Sequence, residues 1–198
     1  YPECCVRHYT GWKKNTADHD IMRNIYRNTK RKEKLNFMLN NTWNLYSQSR
    51  NSAKETRDFR KMDSLNASGL QLVQVISWHP CAYDCPKSLS AADKIYDFMS
   101  HYVPEHARLL KNRLSKPVVM LDKYKFIAFN GFIAGRTLYH AGAAEPRSLI
   151  PKSAAAAITR LSKPYSKAGI SQIDLPELLS ALGKPKPFVL NFTAEKMP

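Results

Sequence analysis

The sequence predicts an α+β (or mixed α/β) fold with a helical N-terminal region, a short central sheet and helices in the C-terminal third. Three observations predict it. Apolar pairs four residues apart, Ile21 with Ile25 and Met22 with Tyr26, mark helical periodicity early in the chain. Runs rich in β-branched and aromatic residues follow, at Leu70 to Trp78 and between Val118 and His140. Helical spacing then returns after Pro146. The whole is read as one domain, 1–198, made of a basic helical region 1–66 and an α/β core 67–198.

Thr16 followed by Asp18 reads as a helix start, and a second helical stretch holds Leu35, Leu39 and Trp43 four apart with Met38 and Tyr46 beside them. Residues 47–66 are polar and charged, a loop or a solvated helix. Leu70 to Trp78 alternates and reads as a strand that delivers the chain to His79-Pro80-Cys81. Ser88 or Ser90 can cap a helix running to about Tyr102, and Pro104 suits the first turn of another carrying Leu109, Leu110 and Leu114. Val118 to Leu121, Lys125 to Phe129 and Ile133 to His140 read as short strands, with Asn130-Gly131 as the turn between the last two. Helices around Lys152 to Leu161 and Leu175 to Leu182, then a strand at Phe188 to Phe192, complete the pattern.

An apolar share of 43% in 198 residues is enough to bury a core and argues against wholesale disorder. The longest apolar runs, Val118 to Leu121 and Ala154 to Ile158, fall far short of the roughly 18–20 residues that span a bilayer, so no membrane partner is expected. No hydrophobic segment opens the chain, and the expected location is cytoplasmic. Against 16 acidic residues stand 31 lysines and arginines, a formal net charge of +15. Such an excess favours a polyanion, with nucleic acid the leading partner.

Four cysteines fall in two tight pairs, Cys4-Cys5 and Cys81-x3-Cys85. Three readings are open. Some are buried thiols that behave as small hydrophobes; or two disulfides staple a secreted basic protein, for which N-x-[ST] triplets at Asn40, Asn66 and Asn191 give superficial support; or Cys4, Cys5, Cys81 and Cys85 hold a metal. The last is preferred, as an iron–sulfur cluster of the 4Fe–4S type, because adjacent thiolates can reach different irons and Cys81-x3-Cys85-Pro86 repeats the closing C-x3-C-P of ferredoxin-type runs. Zinc is the lesser alternative, since it favours a two-residue gap between paired ligands. His79 is a candidate for the surrounding shell.

Tyr1-Pro2-Glu3-Cys4-Cys5, followed by His79-Pro80-Cys81-x3-Cys85 and Ser88, resembles an uncharacterised prokaryotic family with a YPxCC … HPCxxxC cysteine pattern. The resemblance covers about ten positions and carries no activity. It implies that the two blocks belong together around one site.

The charge is densest in the first third. Lys13, Lys14, Arg23, Arg27, Lys30, Arg31, Lys32 and Lys34 form the strongest patch, and on a continuous helix Arg23, Arg27, Lys30 and Lys34 would share one face able to track phosphates. Trp12, Tyr26 and Trp43 could stack on bases, although the register of Trp43 with Leu35 and Leu39 favours the core. For catalysis the candidates are Cys5, as a free thiol beside three ligands, and Asp84, as a base inside the cysteine loop, where an aspartate is more often a turn former. The expected function is an iron–sulfur protein that binds or modifies nucleic acid; the alternative is a cluster-bearing enzyme for a small anionic metabolite.

Overall fold

A helix needs acceptors for the N–H groups of its first turn. Asp20 supplies one: its carboxylate accepts from the Arg23 N–H at 3.0 Å and starts a helix at Ile21–Asn28. The computed structural model describes residues 1–15, 20–33, 35–43, 73–122, 125–145, 150–165, 169–183 and 186–192. The result is α+β, with helices at the N-terminus and in the C-terminal third and an antiparallel sheet of six strands among the described residues. Contacts group the chain into two units, Tyr1–Ser115 and Lys116–Pro198.

The first unit is helical: α1 (Glu3–Asn15), α2 (Ile21–Asn28), a single 3₁₀ turn (Phe37–Leu39), α3 (Pro86–Tyr102) and α4 (Pro104–Leu114). Pro86 and Pro104 open α3 and α4, where a missing N–H costs nothing. The expected start at Thr16 lies outside the described residues, and the helix over residues 3–15 had no periodic signal to announce it.

Residues 35–43 do not continue as an α-helix, because their asparagines bond locally. The Asn36 side chain accepts from the Met38 N–H, and the Asn40 side chain from the N–H and hydroxyl of Thr42. Trp43 is buried, as its register suggested, while Tyr46 lies outside the described residues. The expected strand at Leu70 to Trp78 is absent over Val73 to Trp78, its described part. Val73, Val75 and Ile76 are all buried, so the alternation breaks, and among the described residues of this unit no other strand exists to pair with.

The second unit is a sheet of β1 (Val118–Met120), β2 (Phe126–Ala134), β3 (Thr137–Glu145), β4 (Lys163–Pro164), β5 (Ser171–Asp174) and β6 (Phe188–Leu190), in the order β4-β5-β3-β2-β1-β6. Two helices, α5 (Lys152–Leu161) and α6 (Leu175–Leu182), share a core with Ile127, Phe129, Leu138 and Ile173 and so cover one face of it. Asn130-Gly131 is not a turn but a bulge inside β2, where the register with β3 shifts. The chain reverses instead at Gly135-Arg136, with Gly135 at φ +57° and Ala134 paired to Thr137.

His140 on β3 is buried between two neutral partners. Its Nδ1 accepts from the Gly142 N–H at 3.0 Å, so the proton sits on Nε2 and faces the Ser162 hydroxyl at 3.2 Å, which donates onward to the Ile158 carbonyl. Burial holds its pKa below the ordinary value. The folded state therefore binds fewer protons than the unfolded state as pH falls below about 6.5, and the stability that is full above that pH declines by up to about 1.4 kcal/mol per unit. Urea unfolding between about pH 7 and 5 should weaken more steeply for the native chain than for His140→Gln. Parallel curves would exclude a buried neutral ring.

Candidate metal centre

The first turn of α1 presents Cys4 and Cys5, anchored by the N–H groups of Cys5 and Val6 on the Pro2 carbonyl at 3.0 and 3.1 Å. The loop before α3 supplies Cys81 and Cys85, the latter closing a turn on the Ala82 carbonyl at 3.2 Å and capping α3 ahead of Pro86. The four sulfurs lie within 4.8 Å of one another. Cys4 stands 3.9 Å from Cys5 and 3.7 Å from Cys85, and Cys5 stands 3.8 Å from Cys85. All four are free thiols, at distances far beyond the roughly 2.05 Å of a disulfide. Asn40, one of the three glycosylation-type triplets, is 1% exposed, its side-chain amide donating to the Leu114 carbonyl at 2.7 Å.

Donors converge on the buried sulfurs. The Cys81 N–H donates to Cys5 Sγ at 3.3 Å. Ser88, buried on α3, takes the Trp78 indole N–H on its oxygen at 3.1 Å and can therefore aim its own proton at Cys5 Sγ, 3.2 Å away. Tyr1 packs edge-on against Trp78 at 5.7 Å. Burial raises the pKa of Cys5 and, with the neighbouring thiols, that of Cys81. Burial also acts upward on Cys85, but the N–H and hydroxyl of Ser88 and the thiols of Cys81 and Cys4 outweigh it and bring it down. Thiolates this close repel one another unless a cation joins them, so the donor set can hold a metal ion.

The cysteine loop is seated on the end of α2. The Asn28 amide donates to the Cys81 carbonyl at 3.3 Å, and the Tyr83 N–H donates to the Thr29 hydroxyl at 2.9 Å. Tyr83 is fully buried, its hydroxyl 3.7 Å from Met22 Sδ. Asp84 Oδ2 accepts from the N–H groups of both Lys30 and Arg31, at 2.9 and 3.2 Å. Its carboxylate thus shapes the basic segment, the turn-forming role. His8 bridges α1 to α2 through Asn24 at 2.6 Å and Asn28 at 3.2 Å.

The remaining candidates separate by position. His79 stands outside the sulfur group; its Nδ1 faces the Asn41 amide, and burial lowers its pKa to about 4, which keeps the ring neutral. Cys5, the candidate thiol nucleophile, is buried, whereas Cys4 borders an open depression of about 360 Å³ with Glu3, Arg7, His8 and Lys87. The expected phosphate-tracking helix face is corrected, because α2 ends at Asn28 and Thr29 is extended. Arg23 is tied to Asp20 at 3.0 Å, and the Lys32 ammonium lies 5.2 Å from the Tyr26 ring. Arg27, Lys30 and Arg31 are exposed around the cysteine loop. Lys13 and Lys14 belong to α1 by backbone, their side chains and that of Trp12 being outside the described residues, as is Lys34. The sequence reading missed the supporting shell of Trp78, Asn28 and Thr29.

No family model, curated protein or solved structure matches the chain. Among the described residues no helix is long and apolar enough to cross a membrane.

Proposed function

We propose that the chain is a metal-dependent nucleic-acid-binding protein, in which one ion held by Cys4, Cys5, Cys81 and Cys85 fixes the basic segment at 27–31 against the phosphates. The observation that carries this reading is Asp84. It sits between two of the cysteines and holds the main chain of Lys30 and Arg31, so the geometry of the centre and the presentation of the positive charges are coupled. The net charge of +15 supplies the long-range attraction.

The sulfur spacing supports a single ion, zinc by chemistry. A tetrahedral ion with metal–sulfur bonds of about 2.3 Å sets its ligands about 3.8 Å apart; the separations among Cys4, Cys5 and Cys85 are 3.7–3.9 Å, with Cys81 Sγ within 4.8 Å of each. Cluster thiolates, each bound to a different iron, stand farther apart. The iron–sulfur reading keeps one observation in its favour, the Cys81-x3-Cys85-Pro86 run. Metal and acid-labile sulfide analysis after anaerobic purification separates the two: one equivalent of zinc without sulfide, or iron with sulfide and colour.

Nucleic-acid binding is tested by its salt dependence. Affinity for a mixed tRNA pool should fall steeply with salt, and Arg27→Glu with Arg31→Glu should reduce the slope in proportion to the phosphates no longer neutralised, with metal content unchanged. Absence of binding at low salt would favour a small anionic metabolite, for which the depression beside Cys4, lined by Glu3, Arg7, His8 and Lys87, is a candidate site.

A further inference from the structure

On the face of the second unit's sheet opposite α5 and α6, where Val118, Met120, Phe126 and Ala128 are buried, a row of half-buried to exposed side chains continues across the other strands. Register places Phe132 of β2 opposite Tyr139 of β3, Tyr139 opposite Gln172 of β5, and Gln172 opposite Lys163 of β4. Four strands thus contribute one residue each to a single line across one face. Their neighbours on the same strands, Ile133, Leu138 and Ile173, point the other way into the helix-covered core.

The aromatic members touch. Phe132 and Tyr139 are stacked, with centroids 5.0 Å apart and planes 17° from parallel, and Tyr165 meets Tyr139 edge-on at 4.6 Å. Cross-strand stacking alone would account for the first pair. It does not account for Tyr165, which is 55% exposed at the end of the row with Lys163 also exposed two residues before it. Arg136, at the β2–β3 turn, is exposed and only loosely paired with Asp174 at 4.0 Å. The unit around this surface holds twelve lysines and arginines against five acidic residues.

We infer that this face binds single-stranded nucleic acid, unpaired bases stacking on Tyr165 and Tyr139 while Lys163 and Arg136 meet the phosphates. The exposed Tyr165 beside the half-buried Tyr139 offers what a flexible strand needs, a flat apolar surface for a base and positive charge along the backbone path. A base-less polyanion would use the charge and ignore the rings, and a paired duplex keeps its bases stacked on one another. The inference names the form of nucleic acid; it rests on the reading above for the class of partner, while its residues belong to the other unit.

The test compares a short oligothymidine with an abasic oligomer of the same length, both fluorescently labelled and titrated with the full chain. Oligothymidine should bind more tightly. Tyr165→Ala and Tyr139→Leu should each reduce that advantage by about 5- to 150-fold for every base that no longer stacks, leaving abasic affinity unchanged. Arg27→Glu with Arg31→Glu should weaken both oligomers alike. Tyr165 is exposed enough that its removal leaves the fold intact, which circular dichroism verifies. Equal affinity for the two oligomers, or an advantage that survives both tyrosine variants, overturns the stacking face and leaves the basic segment standing. Binding to neither oligomer at low salt overturns both.

Discussion

If the four-cysteine site holds the proposed ion, a strong chelator, or replacing Cys85 with serine, should unfold the unit Tyr1–Ser115. The effect is expected to be large because the centre joins residue pairs about 80 positions apart and fastens the start of α1, with the His8 bridge to Asn24 and Asn28 and the Tyr1–Trp78 contact beside it. Structural zinc contributes about 10–16 kcal/mol of apparent folding energy in small domains, comparable to or above the ~5–15 kcal/mol total stability of an ordinary protein. The cysteines should not be equal. Cys5 and Cys85 are buried and Cys5 receives the Cys81 N–H, so their serine variants should lose both metal and fold. Cys4 is half-buried at the edge of the depression, where water can replace it, and Cys4→Ser should retain a weakened site. Metal content per chain and near-ultraviolet circular dichroism, measured with chelator and after zinc is restored, check this ranking. A metal-free chain with an unchanged melting curve would refute a structural centre.

What the sequence made legible was whatever depends on local spacing. Helices at Lys152–Leu161 and Leu175–Leu182 follow from periodicity, and the opening of α4 from Pro104, whereas α3 starts at Pro86 with Cys85 as its cap rather than at Ser88 or Ser90. The cysteine set was legible too, because two tight pairs are hard to explain one at a time. Features that depend on a partner far along the chain were not. Val73 to Ile76 has the composition of a strand, but pairing requires a neighbour, which this unit does not supply among its described residues. Arg23, Arg27, Lys30 and Lys34 have helical spacing, but Thr29 leaves the helix because its hydroxyl is taken up between the Ile25 carbonyl and the Tyr83 N–H. Asp84 looked like a turn former and is one, yet the turn it organises belongs to residues more than 50 positions earlier. Asn130-Gly131 carried the strongest short hairpin signal and misled for a steric reason, since the glycine is needed where β2 and β3 approach most closely.

That close approach makes Gly131→Ala the most damaging single-methyl change expected in the second unit. A Cβ on Gly131 would fall 1.8 Å from the Tyr139 carbonyl oxygen and 2.8 Å from the His140 Cα. Both are backbone atoms of the paired strand, so no rotamer change relieves the overlap. β2 and β3 must separate at the bulge, disturbing the Gly131–His140 pairing and, one step along, the Phe132–Tyr139 pair. The cost should reach at least about 3 kcal/mol, in the range of severe core overpacking. Gly135→Ala is the matched control. Gly135 has φ +57° but nothing within 4 Å of an added Cβ, so its alanine variant bears only the left-handed backbone penalty of about 1–2 kcal/mol. Urea unfolding followed by tyrosine and tryptophan fluorescence should place the midpoint of Gly131→Ala well below that of Gly135→Ala. Because His140 lies opposite Gly131, the steeper loss of stability below about pH 6.5 should also weaken in Gly131→Ala as the ring gains water. If the two alanine variants unfold together, the bulge is not held by backbone contact, and the register that aligns Phe132, Tyr139, Gln172 and Lys163 on one face loses its anchor.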